Sequence, residues 1–378
     1  MKLTLTLLFF LAFFNNKAQK KKFELEASIT GDLASNVIGG VKQGFVLLGN
    51  TNLTLTFDSE KLKLWKGGLF FVNGQNNYGN SLSDLVGDIQ GVNNIEASSN
   101  PRLYQFWYSQ KINKIELTVG QHDLNSEFGF TDFGTTFMHS SFGIQPDISI
   151  NNPISIFPIA SLGMIGKWKL ENVTLLAAIY DGNPGNAIDN PNSLNWTVNK
   201  TEGALSIFEL QYSQVVDSIV KGTYKLGVWN HSLNKYSKNK NYSNSQGVYF
   251  IADYLLAREK LDKNQGLGAF VQFGIAPKKC NRINSYSGIG LVYHGVFKKR
   301  SSDDLGIAIG IASLESSLKQ EESFHYYSNN ESVIELTYKA IVNSQFSFQP
   351  DFQYVINPGG TNSMKNALTC SLRLRIDL

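Results

Sequence analysis

The chain has 378 residues, 12% aromatic and only 17% charged, with 33 glycines and a formal charge of +3. That balance, with no basic cluster beyond Lys20, Lys21 and Lys22, excludes nucleic acid as a partner. Cys280 and Cys370 form no CxxC pattern, which excludes a zinc or redox motif built on them.

In chain order, Met1 and Lys2 precede a mostly apolar run from Leu3 to Phe14, and a short polar stretch ends at Ala18. A basic start, a short apolar core and a small residue read as a secretory signal peptide over residues 1–18. The run is too short to cross a bilayer as a helix, which needs about 20 apolar residues, and no later stretch approaches that length. Residues 19–378 are expected to form one domain. Removing Lys2 and Lys17 with the signal takes the formal charge from +3 to +1, and the three lysines at 20–22 read as a solvated tail.

The dominant pattern downstream has a period of two. Leu53, Leu55 and Phe57 oppose Asn52, Thr54 and Thr56. Phe208, Leu210 and Tyr212 oppose Glu209 and Gln211, and Leu305, Ile307, Ile309 and Ile311 oppose Gly306, Ala308, Gly310 and Ala312. Ile334, Leu336 and Tyr338 oppose Glu335, Thr337 and Lys339; Phe346, Phe348, Phe352, Tyr354 and Ile356 oppose Ser347, Gln349, Asp351 and Gln353. The last segment is the clearest: Leu368, Cys370, Leu372, Leu374, Ile376 and Leu378 share one face, against Thr369, Ser371, Arg373, Arg375 and Asp377. Successive strand side chains point to opposite faces, so each segment is a strand with one apolar and one polar wall. Pro350 cannot donate to a ladder and is expected at a bulge or strand end.

A β-sandwich also alternates in this way, with its apolar face inward. Export, abundant aromatics and sparse charge favour a transmembrane antiparallel β-barrel, whose apolar face points out and whose polar face lines a lumen. An open sheet edge in hydrocarbon costs several kcal/mol per unpaired group, so the sheet must close. The fold class is therefore all-β, with roughly 16 strands and long extracellular loops. Segments 74–80, 181–186 and 239–246 read as surface loops. The longest irregular stretch, 123–161, contains Pro146, Pro153 and Pro158 and is expected to fold into the lumen as a constriction, with Asp123, Glu127 and His139 as its candidate residues.

Alternation places Gln105, Trp107, Glu209, Trp229, Glu335, Lys339, Gln349, Asp351, Gln353, Arg373 and Arg375 on the lumen face as candidate channel-lining and sugar-binding residues. Planar polar groups offer paired hydrogen bonds to sugar hydroxyls, and indole faces stack on the C–H side of the ring. Equally, the charges can pair across the wall and the tryptophans fill space. Arg373 and Arg375 opposite Asp351 would set a transverse field across the pore.

Several stretches together carry a family resemblance. Phe348-Gln349-Pro350-Asp351-Phe352-Gln353-Tyr354-Val355-Ile356-Asn357-Pro358-Gly359-Gly360 is similar to the penultimate strand and Pro-Gly-Gly turn of the carbohydrate-selective porin family, OprB-like. Glu331, Glu335-Leu336-Thr337-Tyr338, Arg300 with Asp303, Asp304 and Gly306, and Tyr224-Lys225-Leu226-Gly227-Val228-Trp229 resemble it in the same order, as do Val119-Gly120-Gln121, Tyr180-Asp181-Gly182 and Gly247, Tyr249 and Asp253. Gln105 stands where the family tends to carry an acid. The resemblance implies passive passage of monosaccharides or small oligosaccharides across a Gram-negative outer membrane. Outer-membrane lipid is the expected surrounding, and whether the chain forms a homo-oligomer is left open.

No enzyme chemistry is expected. His122, His139, His231, His294 and His325 are scattered without an HExxH pair, and the Gly-x-Ser-x-Gly turn around His139-Ser140-Ser141 is missing. No cofactor or metal is expected, although Asp303 and Asp304 could hold a calcium ion or simply be solvated. The competing readings are a general, weakly selective pore, a barrel enzyme of the outer membrane and a secreted sandwich lectin.

Overall fold

The computed structural model describes residues 23–378 apart from 218, 233–234, 238–239, 243, 260–261, 263–264, 279 and 315–328. The expected signal, the lysines at 20–22, Asn239 and His325 lie outside the described residues. The alternating segments become β1 (Phe23–Gly40), β2 (Gly44–Asp58), β3 (Gly68–Gly79), β4 (Pro101–Ile112), β5 (Ile115–His122) and β6 (Ser161–Lys169). Next come β7 (Val173–Asp181), β8 (Ala204–Val216), β9 (Ile219–His231), a small hairpin of β10 (Lys235–Ser237) and β11 (Lys240–Tyr242), and β12 (Ser245–Arg258). The chain ends with β13 (Gly266–Ile275), β14 (Ile283–His294), β15 (Asp304–Leu314), β16 (Asn330–Ile341), β17 (Phe346–Ile356) and β18 (Lys365–Asp377).

All but β10 and β11 join one closed antiparallel barrel of 16 strands, each paired to its sequence neighbours, and β18 returns to β1. The seam runs from Ser28 opposite Asp377 to Gly40 opposite Lys365, and Leu378 N–H donates to Ala27 C=O at 2.8 Å. Closure of β18 on β1 excludes the sandwich. One end carries tight turns such as 113–114 and 170–172; the other carries long connections, including 80–100, 123–160 and 182–203.

Alternation decides the faces. In β15, Ile307, Ile309 and Ile311 are exposed on the outside, while Ala308 and Ala312 are buried inside. The small inner residues make room. A Cβ added at Gly306 would sit 2.8 Å from the Phe137 ring, and one at Gly310 would sit 3.3 Å from Phe142. Phe137, Phe142 and Phe270 form a triangle with centroids 5.2–5.9 Å apart. Such pairs add about 0.5–1.5 kcal/mol each beyond their buried area. The small wall residues and the inserted aromatics are thus complementary.

Near the tight-turn end the outer face carries a row of rings from Phe23 through Phe57 and Phe70 to Tyr108, with centroids 6.2, 4.6 and 4.6 Å apart. Trp65 donates to the Tyr108 hydroxyl at 3.0 Å. This is the aromatic girdle expected where a barrel wall passes from an apolar to an aqueous layer.

Two local expectations need correction. Residues 74–79 are part of β3, paired in register with β2 from Leu48 to Leu53, not a surface loop; Asn and Gln at alternate positions face the polar interior. Likewise 240–242 and 245–246 belong to strands rather than to irregular loop. Pro350 lies in mid-strand, opposite Leu372 of β18, and the β16–β17 ladder resumes in the same register beyond it, from Thr337 opposite Asp351 to Ala340 opposite Phe348. The missing donor is absorbed by a local lapse in pairing on one side, with no bulge.

Candidate functional site

Two loops from the long-loop end turn into the barrel. The 123–160 loop turns inward, with Leu124, Phe128, Phe137, Met138, Phe142 and Ile148 all buried. Asp123 caps its first 3-10 turn by accepting from Asn125 N–H at 2.9 Å, and Pro146 opens the short helix Pro146–Ser149. The 80–100 loop also enters, which the sequence reading missed. Leu82, Val86 and Val92 are buried, and Glu96 caps the turn Ser83–Val86 through Leu82 N–H at 2.8 Å and Ser83 N–H at 3.2 Å. The available signal was its apolar content, with Leu82, Leu85, Val86, Ile89 and Val92 in a stretch that alternation cannot read as a strand.

Wall side chains fasten both loops by their backbone. Glu335 accepts from Met138 N–H at 2.6 Å and His139 N–H at 3.0 Å. Glu331 accepts from Ile89, Gln90 and Gly359 N–H at 3.0, 3.1 and 2.6 Å. Glu209 accepts from Gly129 N–H at 3.0 Å and from the Tyr249 hydroxyl at 2.5 Å, and Asp253 accepts from Phe133 N–H at 3.1 Å. In the opposite sense, Gln349 donates to Thr136 C=O, Gln353 to Val92 C=O and Lys225 to Phe130 C=O, at 2.8, 3.0 and 2.7 Å. A loop turned into a protein interior carries backbone groups that need partners, and these inward polar side chains supply them.

The remaining lumen runs between the loops and the wall formed by β1 and β16–β18. Thr30, Asn94, Asn125, Lys339, Gln349, Arg373 and Arg375 line it. Towards the tight-turn end it opens into a space lined by Glu26, Asn52, Thr54, Phe71, Asn73, Gln105 and again Arg375. Arg373 forms a two-pronged pair with Asp32 at 2.9 and 2.8 Å, and Arg375 pairs with Asp377 at 2.7 Å. Lys339 makes no ion pair among the described residues. Trp107 stacks on Phe71 with centroids 4.7 Å apart and planes at 13°, beside Gln105, which accepts from Asp123 N–H at 3.1 Å.

The structure thus divides the candidates. Gln105, Lys339, Gln349, Arg373 and Arg375 border open lumen, with Asp123 on the loop side, while Trp107 is half-buried behind Phe71. Glu209, Glu335, Asp351 and Gln353 point inward but are buried beneath the loops. Asp351 accepts from Gln353 at 2.8 Å and makes no ion pair with either arginine among the described residues. Trp229 is buried in an apolar cluster with Ile207, Tyr249 and Ile251, so it fills space. Glu127 pairs with Lys167 of the wall at 2.5 Å. His139 is buried, with Nδ1 2.8 Å from Ser141 Oγ; burial lowers its pKa to about 3 and keeps it neutral. Burial pushes Asp147, on the same loop, up to about 7. Asp303 holds Arg300 at 2.7 Å and Ile341 N–H at 2.9 Å, and Asp304 holds His294 at 2.7 Å, so both acids serve the turn they sit in.

The family model for the carbohydrate-selective porins, OprB family, matches residues 42–378. The chain belongs to that family. Porin B of Pseudomonas aeruginosa is 23% identical, over 94% of this chain and 87% of that protein. Among solved structures, the high-pH structure of Pseudomonas putida OprB superimposes with a TM-score of 0.87 at 22% identity, covering 94% of both chains. OmpF of Salmonella typhi shares the fold more loosely, with a TM-score of 0.58 at 10% identity over 94% of this chain and 97% of that one. The porin is an outer-membrane barrel with an exposed apolar band on its outer face.

A consequence for the wall is testable. Cys370 lies on the outward face of β18, opposite Ser35 of β1 and the exposed Phe352 of β17. In the membrane-embedded porin with Cys280→Ser, Cys370 is expected to resist a charged maleimide and to accept an apolar one. Mass spectrometry of the labelled protein checks this, and fast reaction with the charged reagent contradicts the assignment of faces.

Proposed function

We propose that this porin passes monosaccharides and small oligosaccharides by passive diffusion along the lumen left between the 80–100 and 123–160 loops and the β1, β16–β18 wall. The observation that carries the reading is the character of that lumen. It is lined by planar amide and guanidinium groups at Gln105, Gln349, Arg373 and Arg375, with Phe71, backed by Trp107, further along the same path. Amides and guanidinium groups offer directional hydrogen bonds to hydroxyls, and an aromatic face accepts the C–H side of a pyranose ring. Two of the three cations there are neutralised by Asp32 and Asp377, which weakens ion discrimination relative to recognition of neutral polar solutes. Liposome swelling with graded neutral sugars and charged solutes of equal size tests the reading. Neutral sugars are expected to enter faster than ionic solutes of the same size, and sugars to reduce ion current through planar bilayers. Equal rates and no competition would instead favour a general pore.

Lys339 is expected to set the residual ion preference, because it makes no ion pair among the described residues. Lys339→Glu should move the reversal potential in a salt gradient towards cation selectivity, while leaving sugar entry nearly unchanged. An unaltered reversal potential would remove Lys339 from the conducting path.

A further inference from the structure

The barrel wall is not sealed by strands alone. Ladder pairing between β4 and β5 stops at Phe106 opposite Gln121, because β5 ends at His122 and the chain then dives into the lumen. Residues 101–105 of β4 therefore extend beyond β5 with one edge unpaired. The 182–203 loop fills that place. Asn192 C=O accepts from Leu103 N–H at 3.1 Å, and the Asn192 amide donates to Pro101 C=O at 2.7 Å. Gln121 donates to Leu103 C=O at 2.7 Å and accepts from Trp196 Nε1 at 2.7 Å. The Trp196 indole lies parallel to Phe106, with centroids 6.1 Å apart and planes at 7°. Phe106 belongs to the outward apolar band, so Trp196 sits on the lipid side of the wall.

The same loop displays apolar side chains in the open. Ile188 is 88% exposed, Leu194 61%, Val198 63% and Trp196 46%. Trp196 meets the wall at Phe106, and the outer face beyond it carries the cross-strand row Val119, Met164 and Ile179, all exposed. The apolar patch of the loop is thus continuous with a surface that already meets hydrocarbon. Isolated exposed apolar residues need no explanation, but a contiguous patch marks an interaction surface.

We propose that residues 188–198 are a lipid-facing panel: the loop closes the slit above β5, and Ile188, Leu194, Trp196 and Val198 rest among acyl chains of the outer leaflet. The inference rests on the place of the barrel in the outer membrane, not on sugar passage. In hydrocarbon, an unpaired strand edge would cost several kcal/mol per group, and the Asn192 and Gln121 contacts remove that cost. Indole at the boundary of the apolar layer is the usual placement for tryptophan.

The test uses spin labels at Leu194→Cys and Ile188→Cys in a Cys280→Ser, Cys370→Ser background, reconstituted in phospholipid vesicles. Val119→Cys on the wall and Glu60→Cys in an exposed turn are the references. Collision with oxygen is expected to exceed collision with a water-soluble nickel chelate at 188 and 194, as at 119. A nickel preference like that at 60 overturns the proposal. So does dipolar broadening that disappears on dilution with unlabelled porin, since a second copy would then cover the panel. Should the labelled variants fail to fold, the unmodified porin and Trp196→Phe are compared in vesicles with brominated acyl chains. Loss of part of the quenched tryptophan emission in the variant supports the lipid contact, and an unchanged quenched fraction overturns it.

Discussion

Replacing both Glu331 and Glu335 with alanine is expected to raise the single-channel conductance severalfold and to abolish discrimination between sugars of different size. Glu335 holds the Met138–His139 backbone and Glu331 holds Ile89, Gln90 and Gly359. Without the carboxyls, these N–H groups would lose their partners inside the barrel, at roughly 1–3 kcal/mol each. The loops regain partners most cheaply by lifting into water, which empties the lumen. Ladder hydrogen bonds of β16 are untouched, so the barrel should still fold and still show heat-modifiable gel migration. Planar-bilayer recordings and liposome swelling with a size series of sugars measure the effect. Unchanged conductance in a folded double variant would show that the aromatic packing around Phe137 and Phe142 suffices to keep the 123–160 loop in place.

The second large effect is expected at the seam. The Arg373–Asp32 pair bridges the last strand to the first, with side chains 12% and 0% exposed. Removing one partner of a buried pair typically costs about 3–5 kcal/mol, because the other charge is stranded. Asn93 still donates to Asp32 at 2.7 Å, so Arg373→Gln should fall at the lower end of that range. The loss is read as a lower temperature for conversion from the compact to the unfolded gel band. Adding Asp32→Asn to Arg373→Gln should recover most of it. The single variant should also shift ion preference towards cations, since Asp32 keeps its charge. Arg375→Gln should share the shift in selectivity without the loss in stability, because its partner Asp377 is half exposed and such pairs contribute little. Equal stability of Arg373→Gln and the parent would mean that backbone pairing alone secures the seam.

The fold was legible where side chains alternate strictly. β18 showed its two walls from Leu368 to Leu378, and closure followed from the cost of an open edge in lipid. Alternation reports which way a side chain points, however, and not what lies over it. Glu335, Glu209 and Trp229 do point inward, yet the inserted loops cover them, and a cover assembled from distant residues has no local period. Asp351 was placed against the arginines because their strands are adjacent. The partner of Arg373 is instead Asp32, more than three hundred residues earlier, which only barrel closure brings near. The 80–100 loop escaped notice for a related reason: its apolar residues bury against a wall made from both ends of the chain, which only closure brings together. Family resemblance at Glu331 and Glu335-Leu336-Thr337-Tyr338 pointed to these residues without revealing that they bind backbone.

That choice of backbone has an evolutionary corollary. A main-chain N–H is offered by every residue except proline, so Glu335 grips positions 138 and 139 whatever side chains they carry. Anchoring and filtering are therefore separable traits. Mutations of loop side chains that border the lumen without holding loop backbone leave the carboxylate grip intact. Such a barrel can drift from one solute to another by small steps, each of them still folded, because the carboxylate grip does not read the side chains of the positions it holds.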